Sequence, residues 1–174
     1  PDLPLVLMGY YNPILAYGLS GFVKDSSDAG VDGAIVVDLP TEESAALRSA
    51  CTLRDIHLIP LLAPTSSDHR IQEACEKASG FIYCVSVTGV TGARNEVSDR
   101  ARHLVNRVTR FTSLPRVVGF GISTREHVVS VGAYAQGVVV GSALIRLIQE
   151  VPSKDMVSKA KEFVARLKGK LTDS

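Results

Sequence analysis

Two hydrophobic patterns alternate along this chain. Short runs of apolar, mostly β-branched residues predict buried strands over residues 3–9, 34–38, 58–62, 81–86, 116–120 and 138–140. Between these runs, apolar residues recur about every 3.6 positions and predict amphipathic helices, most clearly over residues 70–78, 96–111 and 153–171. Six strand–helix units without hairpin signals predict an α/β fold with a parallel sheet, formed by residues 1–174 as a single domain.

Two parallel architectures fit these units: an open doubly wound sheet and a (β/α)₈ TIM barrel. The first strand–helix turn lacks the G-x-G-x-x-G pattern, which disfavours a nucleotide-binding open sheet. A closed barrel takes eight units and about 250 residues, whereas this pattern supplies six units in 174 residues. We therefore expect either an open sheet or a barrel that lacks two of its units.

Composition narrows the classes of function. The net charge of +1 gives no basic field for nucleic acid, and no apolar run is long enough to cross a membrane, so we expect neither as a partner. The three cysteines, Cys51, Cys75 and Cys84, share no metal-ligand spacing, and their odd number argues against a closed disulfide framework. They are predicted to be buried free thiols, and no metal site is expected.

Glycine-rich loops follow the last three predicted strands. Gly121-Ile122-Ser123 and Gly141-Ser142-Ala143 come after the last two, and Gly92 lies in the loop before them. Glycine lets the backbone approach an anion, and a short helix predicted over residues 142–149 would add free N–H donors. A barrel places a phosphate site at these loops, although glycines at strand ends also form ordinary turns. We predict a phosphate site.

Other strand-end residues leave alternatives open. Asp38 could be a base, a hydrogen-bond anchor or a ligand, or it could cap a helix that starts near Thr41. Tyr10 and Tyr83 could line an aromatic pocket, but Tyr83 lies within a predicted strand and could equally be core. The four histidines fall at strand starts or on helices, so none is expected to be catalytic.

Several loop strings together resemble the tryptophan synthase alpha subunit family. They occur in the family's order and span the chain nearly end to end; they are Tyr10-Tyr11-Asn12-Pro13, the strings over residues 36–43 and 86–92, Val118-Gly119-Phe120-Gly121-Ile122-Ser123 and Val139-Val140-Gly141-Ser142-Ala143. The resemblance implies a TIM barrel and the cleavage of indole-3-glycerol phosphate to indole and glyceraldehyde 3-phosphate in tryptophan biosynthesis.

The resemblance also assigns roles by position. Phosphate would be held by Gly92, Gly121, Gly141 and Ser142. The indole and glycerol parts would be bordered by Tyr10, Tyr83, Thr91 and Phe120, with Thr91 in a loop that closes over the substrate. The side facing the pyridoxal-phosphate beta subunit would carry Asn12, Asp38 and Pro40. The family has no cofactor in the alpha subunit, and the cytoplasm is the expected location, or the plastid stroma for a plant or algal source.

One departure from the family concerns the catalytic acids. The family's glutamate and aspartate come from its first two strand–helix units, and this chain begins near the family's third strand. We therefore expect a (β/α)₈ barrel with its two N-terminal units absent, exposed strand edges, and no cleavage by the 174-residue chain alone. Three alternatives stay open: a free-standing indole-3-glycerol-phosphate lyase, another phosphate-binding barrel such as an isomerase of histidine or tryptophan synthesis, and a non-catalytic barrel that binds a phosphate ligand or activates a partner.

Overall fold

The fold is an ordered alternation of strands and helices. A computed structural model describes residues 3–86 and 94–170. In the helix that begins at residue 94, side chains are described from Asp99 onward. The strands are β1 Val6–Gly9, β2 Gly33–Val36, β3 His57–Leu58, β4 Leu61–Leu62, β5 Ile82–Val85, β6 Arg116–Gly119 and β7 Gly137–Val139. The helices are α1 Tyr11–Tyr17, α2 Leu19–Asp28, α3 Ala45–Thr52, α4 Asp68–Lys77, α5 Arg94–Thr109, α6 Arg125–Gly132, α7 Ser142–Glu150 and α8 Met156–Leu167.

The strand order decides between the two predicted architectures. All described strand pairs are parallel, and neighbours in the sheets follow chain order, β1-β2-β3 and β4-β5-β6-β7. A doubly wound sheet reverses its order at a switch point, whereas a barrel adds each strand beside the last. This order is that of a barrel, so the predicted barrel is confirmed and the open doubly wound sheet is wrong.

The third predicted strand is interrupted at Pro60. Its first half, β3, pairs with β2, and its second half, β4, pairs with β5. Proline has no N–H and cannot donate to a ladder. Hydrogen bonds on either side carry the pairing across the break, from Ile59 N to the Ala34 carbonyl at 2.9 Å and from Tyr83 N to the Pro60 carbonyl at 3.0 Å. The two short strands therefore occupy one strand position, which leaves six such positions as predicted.

Two of the predicted helices begin elsewhere than expected. Residues Thr41–Glu43 form a single 3₁₀ turn, and α3 begins only at Ala45. The last helix begins at Met156 because Pro152 starts a turn, closed by a hydrogen bond from Asp155 N to the Pro152 carbonyl at 2.9 Å. The helices over residues 70–78, 96–111 and 142–149 are confirmed within two or three residues at each end.

The core divides according to the two faces of the sheet. Side chains alternate along each strand, so Val36 packs against the helices while its neighbour Ile35 faces inward. The inner face is built around Ile35, Ile59 and Tyr83. The larger helix-side core includes Ile71 and Cys75 of α4 and the buried stripe of α5, formed by Ala101, Leu104, Val105 and Val108. All three cysteines are buried free thiols, as predicted.

The two outer strands of the described sheet have open edges. Among residues 3–86 and 94–170, β1 pairs only with β2 and β7 only with β6. The side chains of Leu5, Leu7 and Met8 on or beside β1 are exposed. In the described part of the chain, no helix is both long and apolar enough to cross a membrane.

Candidate functional site

An aromatic pair joins strand β5 to the residue that directly follows the neighbouring strand β6. The ring of Tyr83 meets the ring of Phe120 edge to face, with the centroids 6.2 Å apart. Tyr83 is 2% exposed and belongs to the inner-face core, whereas Phe120 is 45% exposed. Burial raises the pKa of the Tyr83 hydroxyl. Tyr83 is therefore a core residue that also supports an exposed aromatic ring at the strand ends.

Gly119 makes room for the Tyr83 side chain. A Cβ atom built on Gly119 would lie 1.8 Å from the Tyr83 hydroxyl oxygen and 2.4 Å from the ring carbon that carries it. Its backbone is ordinary strand, so no special dihedral angle demands glycine here. Glycine is required because the Tyr83 side chain, on the neighbouring strand β5, fills the space beside residue 119.

The turn after β6 has an uncommon backbone that Ser86 holds in place. Phe120 has φ +81° and Gly121 has φ +73°, and the first of these is costly for a residue with a side chain. The Ser86 hydroxyl lies 2.8 Å from the carbonyl oxygen of Gly119 and 2.6 Å from that of Phe120. The Ser86 N–H also donates to the Gly119 carbonyl, at 2.9 Å. The end of β5 is thereby fastened to the loop after β6.

The loops after β6 and β7 present unused backbone donors. No hydrogen bond within the described residues uses the N–H groups of Gly121, Ile122 or Gly141. The adjacent helix α7 begins at Ser142 and has no side-chain cap. Within the described residues the N–H groups of Ser142 and Ala143 are also unused, whereas that of Leu144 donates to the Gly141 carbonyl at 3.0 Å. Because β6 and β7 are neighbours, both loops lie at the same end of the sheet. Free N–H groups and helix N-termini are suited to a phosphate anion.

Asp38 ties two neighbouring strand-end loops together. Its carboxylate follows β2 and accepts a hydrogen bond from the backbone N–H of Tyr11, the first residue of α1, at 2.7 Å. The 3₁₀ turn that follows Pro40 has no side-chain cap, so the interpretation of Asp38 as a cap on a helix starting near Thr41 is wrong. Asp38 is a hydrogen-bond anchor, one of the predicted alternatives, and its partner is the helix of the preceding unit.

A polar cavity of about 290 Å³ opens beside Asp38, between the loops after β2 and β4. Its lining includes Asp38, Pro40, Glu42, Thr65, Ser66 and Arg70. An ion pair 2.9 Å long between Glu42, in the 3₁₀ turn, and Arg70, on α4, closes one side of this cavity. The cavity lies on the same end of the sheet as the other strand-end loops.

Arg107 on α5 fastens the loop after β4 from the helix side. Its guanidinium donates to the carbonyl oxygens of Pro64 at 3.3 Å and Ser66 at 2.6 Å, and its Nε donates to Asp68 Oδ1 at 2.8 Å. The Arg107 side chain is 15% exposed. The hydrogen bond from Arg107 is the largest cause that holds the pKa of the Asp68 carboxyl below its usual value.

Comparison with known proteins identifies the family. Residues 1–172 match the family model described as tryptophan synthase alpha chain. The chain belongs to the tryptophan synthase alpha chain family. The resemblance carried by the loop strings is thus confirmed over nearly the whole chain.

Individual relatives agree with the family model. The tryptophan synthase alpha chain of Roseiflexus sp. (strain RS-1) is 50% identical over 166 residues, which is 95% of this chain and 64% of the relative. That of Methanocaldococcus jannaschii is 46% identical over 150 residues, 86% of this chain and 53% of the relative. The chain spans less than two thirds of the length of these alpha chains.

Solved structures of alpha chains have the same fold. A chain of the tryptophan synthase α2β2 complex from Pyrococcus furiosus is 40% identical with a TM-score of 0.86, covering 95% of this chain and 67% of that one. The alpha subunit from Campylobacter jejuni is 32% identical with a TM-score of 0.84, covering 94% of this chain and 66% of that one.

The structure brings together some of the residues predicted from the alpha chain resemblance. Tyr83 contacts Phe120, and the loops of Gly121 and Ser142 follow adjacent strands. Tyr10 is 62% exposed at the start of α1 and, within the described residues, makes no ring contact with that pair. Asn12 and Asp38 are exposed and Pro40 is partly exposed. Thr91 and Gly92 lie outside the described residues, and the roles of all these residues stay predictions.

Sequence reasoning missed three residues that shape the loops at the carboxyl ends of the strands. Ser86 and Gly119 were parts of matching strings but received no role, although a hydroxyl directly after a buried strand is a usable signal. Arg107 gave no signal, because its partner Asp68 is 39 positions away.

His127 lies on α6 as predicted, yet its Nδ1 accepts a long hydrogen bond from Ser123 N at 3.4 Å. No cluster of three His, Cys, Asp or Glu side chains suited to a metal ion is found in the described ranges.

Proposed function

We propose that this chain is the substrate-binding part of a tryptophan synthase alpha subunit, a lyase that cleaves indole-3-glycerol phosphate to indole and glyceraldehyde 3-phosphate. One observation carries the proposal: in a chain of this family, two adjacent loops with unused N–H groups lie beside an aromatic pair at the same end of the sheet. We also propose that residues 1–174 form a single, partial TIM-barrel domain.

Each part of the substrate finds a chemically matched group. The phosphate dianion would accept hydrogen bonds from the N–H groups of Gly121, Gly141 and Ser142, with Gly92 as a predicted fourth contact. The indole ring would lie against Phe120, which Tyr83 supports, with Tyr10 and Thr91 as further predicted neighbours. Binding both ends of the substrate would fix the glycerol segment between them, where the bond breaks.

The cleavage itself needs proton transfers. The bond between indole C3 and the glycerol segment breaks, C3 gains a proton, and the adjacent hydroxyl loses one to become the aldehyde of glyceraldehyde 3-phosphate. Asp38, the strand-end acid considered as a base, uses its carboxylate to bind Tyr11 N. General acid–base groups contribute about 10² to 10⁴ in rate each. We therefore propose that the family's glutamate and aspartate are required in addition to these 174 residues.

The partner proposed is the tryptophan synthase beta subunit, which carries the pyridoxal phosphate. Asn12, Asp38 and Pro40 would face it. Asp38 and Pro40 line the polar cavity, and Asn12 follows Tyr11, whose N–H donates to Asp38. A relative from Pyrococcus furiosus is described as part of an α2β2 complex. No cofactor is proposed for this chain, and the location proposed is the cytoplasm, or the plastid stroma for a plant or algal source.

The test measures indole release from indole-3-glycerol phosphate by two proteins. One is the 174-residue chain, and the other is the same chain preceded by the N-terminal strand–helix units of the Roseiflexus relative. We expect no release from the first and release from the second that increases when a beta subunit is added. Full release that is indifferent to the beta subunit would favour a free-standing lyase. Binding without release from either protein would favour a non-catalytic barrel.

A further inference from the structure

Ser86 is a buried polar residue at the junction of the aromatic pair and the candidate phosphate loops. It directly follows β5 and is 6% exposed. Its hydroxyl has one proton and lies within hydrogen-bond distance of two carbonyl oxygens, those of Gly119 and Phe120. Both acceptors belong to the turn that leads into the loop of Gly121 and Ile122.

The direction of these bonds determines what the turn presents to solvent. Ser86 draws the carbonyl oxygens of residues 119 and 120 toward the interior of the sheet end. Successive carbonyls turned to one side leave the following N–H groups on the other, which is the arrangement that binds anions. The N–H groups of Gly121 and Ile122 are the ones left unused within the described residues.

The turn would not hold this shape without a tether. Phe120 has φ +81°, a region that residues with side chains occupy at a cost, and such a conformation persists only where neighbours enforce it. The described contacts that enforce it are the Ser86 hydrogen bonds and the edge-to-face contact with Tyr83. The Tyr83 contact orients the ring, whereas the Ser86 bonds act on the backbone.

We infer that Ser86 is a positioning residue for phosphate recognition: its hydroxyl holds the 119–121 backbone so that the N–H groups of Gly121 and Ile122 face the phosphate of the substrate. The inference rests on the proposed function and adds a residue to its binding site. Ser86 does not touch the substrate, and it acts through the orientation of the donors that do.

The experiment compares the affinities of the 174-residue chain for indole and for indole-3-glycerol phosphate. The chain contains no tryptophan, so the fluorescence of the indole ligand can be followed against a background without protein indole. The dissociation constant of indole divided by that of indole-3-glycerol phosphate measures what the glycerol phosphate adds to binding. A titration with inorganic phosphate, followed through the amide resonances of Gly121 and Ile122, reports the same donors directly.

The informative variants differ only in the hydroxyl. Thr and Val have nearly the same shape, so Ser86→Thr and Ser86→Val form a matched pair in case Ser86→Ala does not fold. We expect the ratio to fall about tenfold in the Ala and Val variants and to be largely retained in the Thr variant. Thr109→Val removes a partly buried hydroxyl elsewhere, which donates to the Val105 carbonyl at 2.8 Å on α5, and should leave the ratio unchanged.

The outcomes separate the two proposals. If wild type favours indole-3-glycerol phosphate over indole and the folded Val variant does so equally, the role of Ser86 is refuted while the proposed function stands. If wild type shows no preference and no amide shift with phosphate, the proposed binding site fails and the inference about Ser86 fails with it. A fall in the ratio for Val but not for Thr supports both.

Discussion

The hydroxyl oxygen of Tyr83 occupies the space where a side chain at Gly119 would begin, 1.8 Å from an ideal Cβ position. The two residues lie diagonally across adjacent strands. Tyr83 pairs with Val117, and Gly119 is two residues further along β6, opposite Val85. One residue's bulk is thus matched to the other's absence of a side chain. This fit determines where the Tyr83 ring lies, and through it where Phe120 is supported.

Substitution of Gly119 by Ala should therefore displace Tyr83. We expect a loss of about 1–3 kcal/mol in the free energy of unfolding, the usual cost of overpacking, together with weaker binding of indole. Urea unfolding of both proteins measures the first quantity. Gly132→Ala is the matched control, because a Cβ at residue 132, at the end of α6, meets nothing within 4 Å. Equal stability of Gly119→Ala and wild type would contradict the fit.

Asp38→Ala should loosen the start of α1. The substitution removes the acceptor for Tyr11 N, and lost helix caps typically cost about 1 kcal/mol. Amide hydrogen exchange at Tyr11 should accelerate more than exchange at Leu5. The Leu5 N–H donates to Asp32 at 2.7 Å at the opposite end of the same two strands and serves as an internal control. Asp38→Asn keeps an acceptor oxygen, so its exchange rate at Tyr11 should lie between those of wild type and Asp38→Ala. Unchanged exchange at Tyr11 in the Ala variant would show that Asp38 does not anchor the helix.

The Arg107–Asp68 contact predicts an acid-sensitive component of stability. The pKa of Asp68 is lowered in the folded protein, so the contact stabilises above the pKa of an unfolded aspartate, about 3.9. That stability is lost as pH falls through the folded-state value, below about 4. Asp68→Asn should weaken the pH dependence of the unfolding free energy in this range. Above about pH 6, where Asp68 is ionised in both states, the pH dependence should be the same in the variant and in wild type.

Arg107 should matter more than its neighbour Arg110, although both carry one charge toward Asp68. Arg107 also donates to two backbone carbonyls. Arg110 is well exposed and has one contact with Asp68 at 3.3 Å, with its guanidinium carbon 5.7 Å from the Phe111 ring centroid. Surface ion pairs contribute little. Arg107→Ala is expected to destabilise the protein clearly and Arg110→Ala hardly at all, as judged from thermal melting; similar losses in the two variants would show that only charge matters.

The three thiols should be nearly unreactive in the native protein. Burial raises the pKa of Cys51 and Cys75 to about 11 and that of Cys84 to about 12. At pH 8 a thiol of pKa about 11 is ionised in only about one molecule in a thousand, and the thiolate is the reactive form. Reaction with a disulfide reagent should be slow until denaturant is added, when three thiols per chain should appear. Rapid modification without denaturant would mean that the helix-side core opens readily.

The sequence by itself determined the local elements and predicted the kind of chemistry. Hydrophobic periodicity located all six strand positions and the long helices, since a strand or helix reveals its buried face within a few residues. Glycines after the last strands indicated an anion site because their backbone freedom is a property of the residue itself. The boundaries were less accurate, most clearly at Pro60, where a missing N–H divides one predicted strand into two.

Only the tertiary structure decided the strand order and the contacts that shape the site. The bond from Tyr11 to Asp38 spans 27 positions, that from Ser86 to Phe120 spans 34, and that from Arg107 to Asp68 spans 39. No local pattern encodes such pairs, because each depends on which strands become neighbours. The clash that forbids a side chain at Gly119 likewise exists only once β5 and β6 lie side by side. Local sequence therefore determined the residues available at the strand ends, and the parallel order of the strands decided which of them meet.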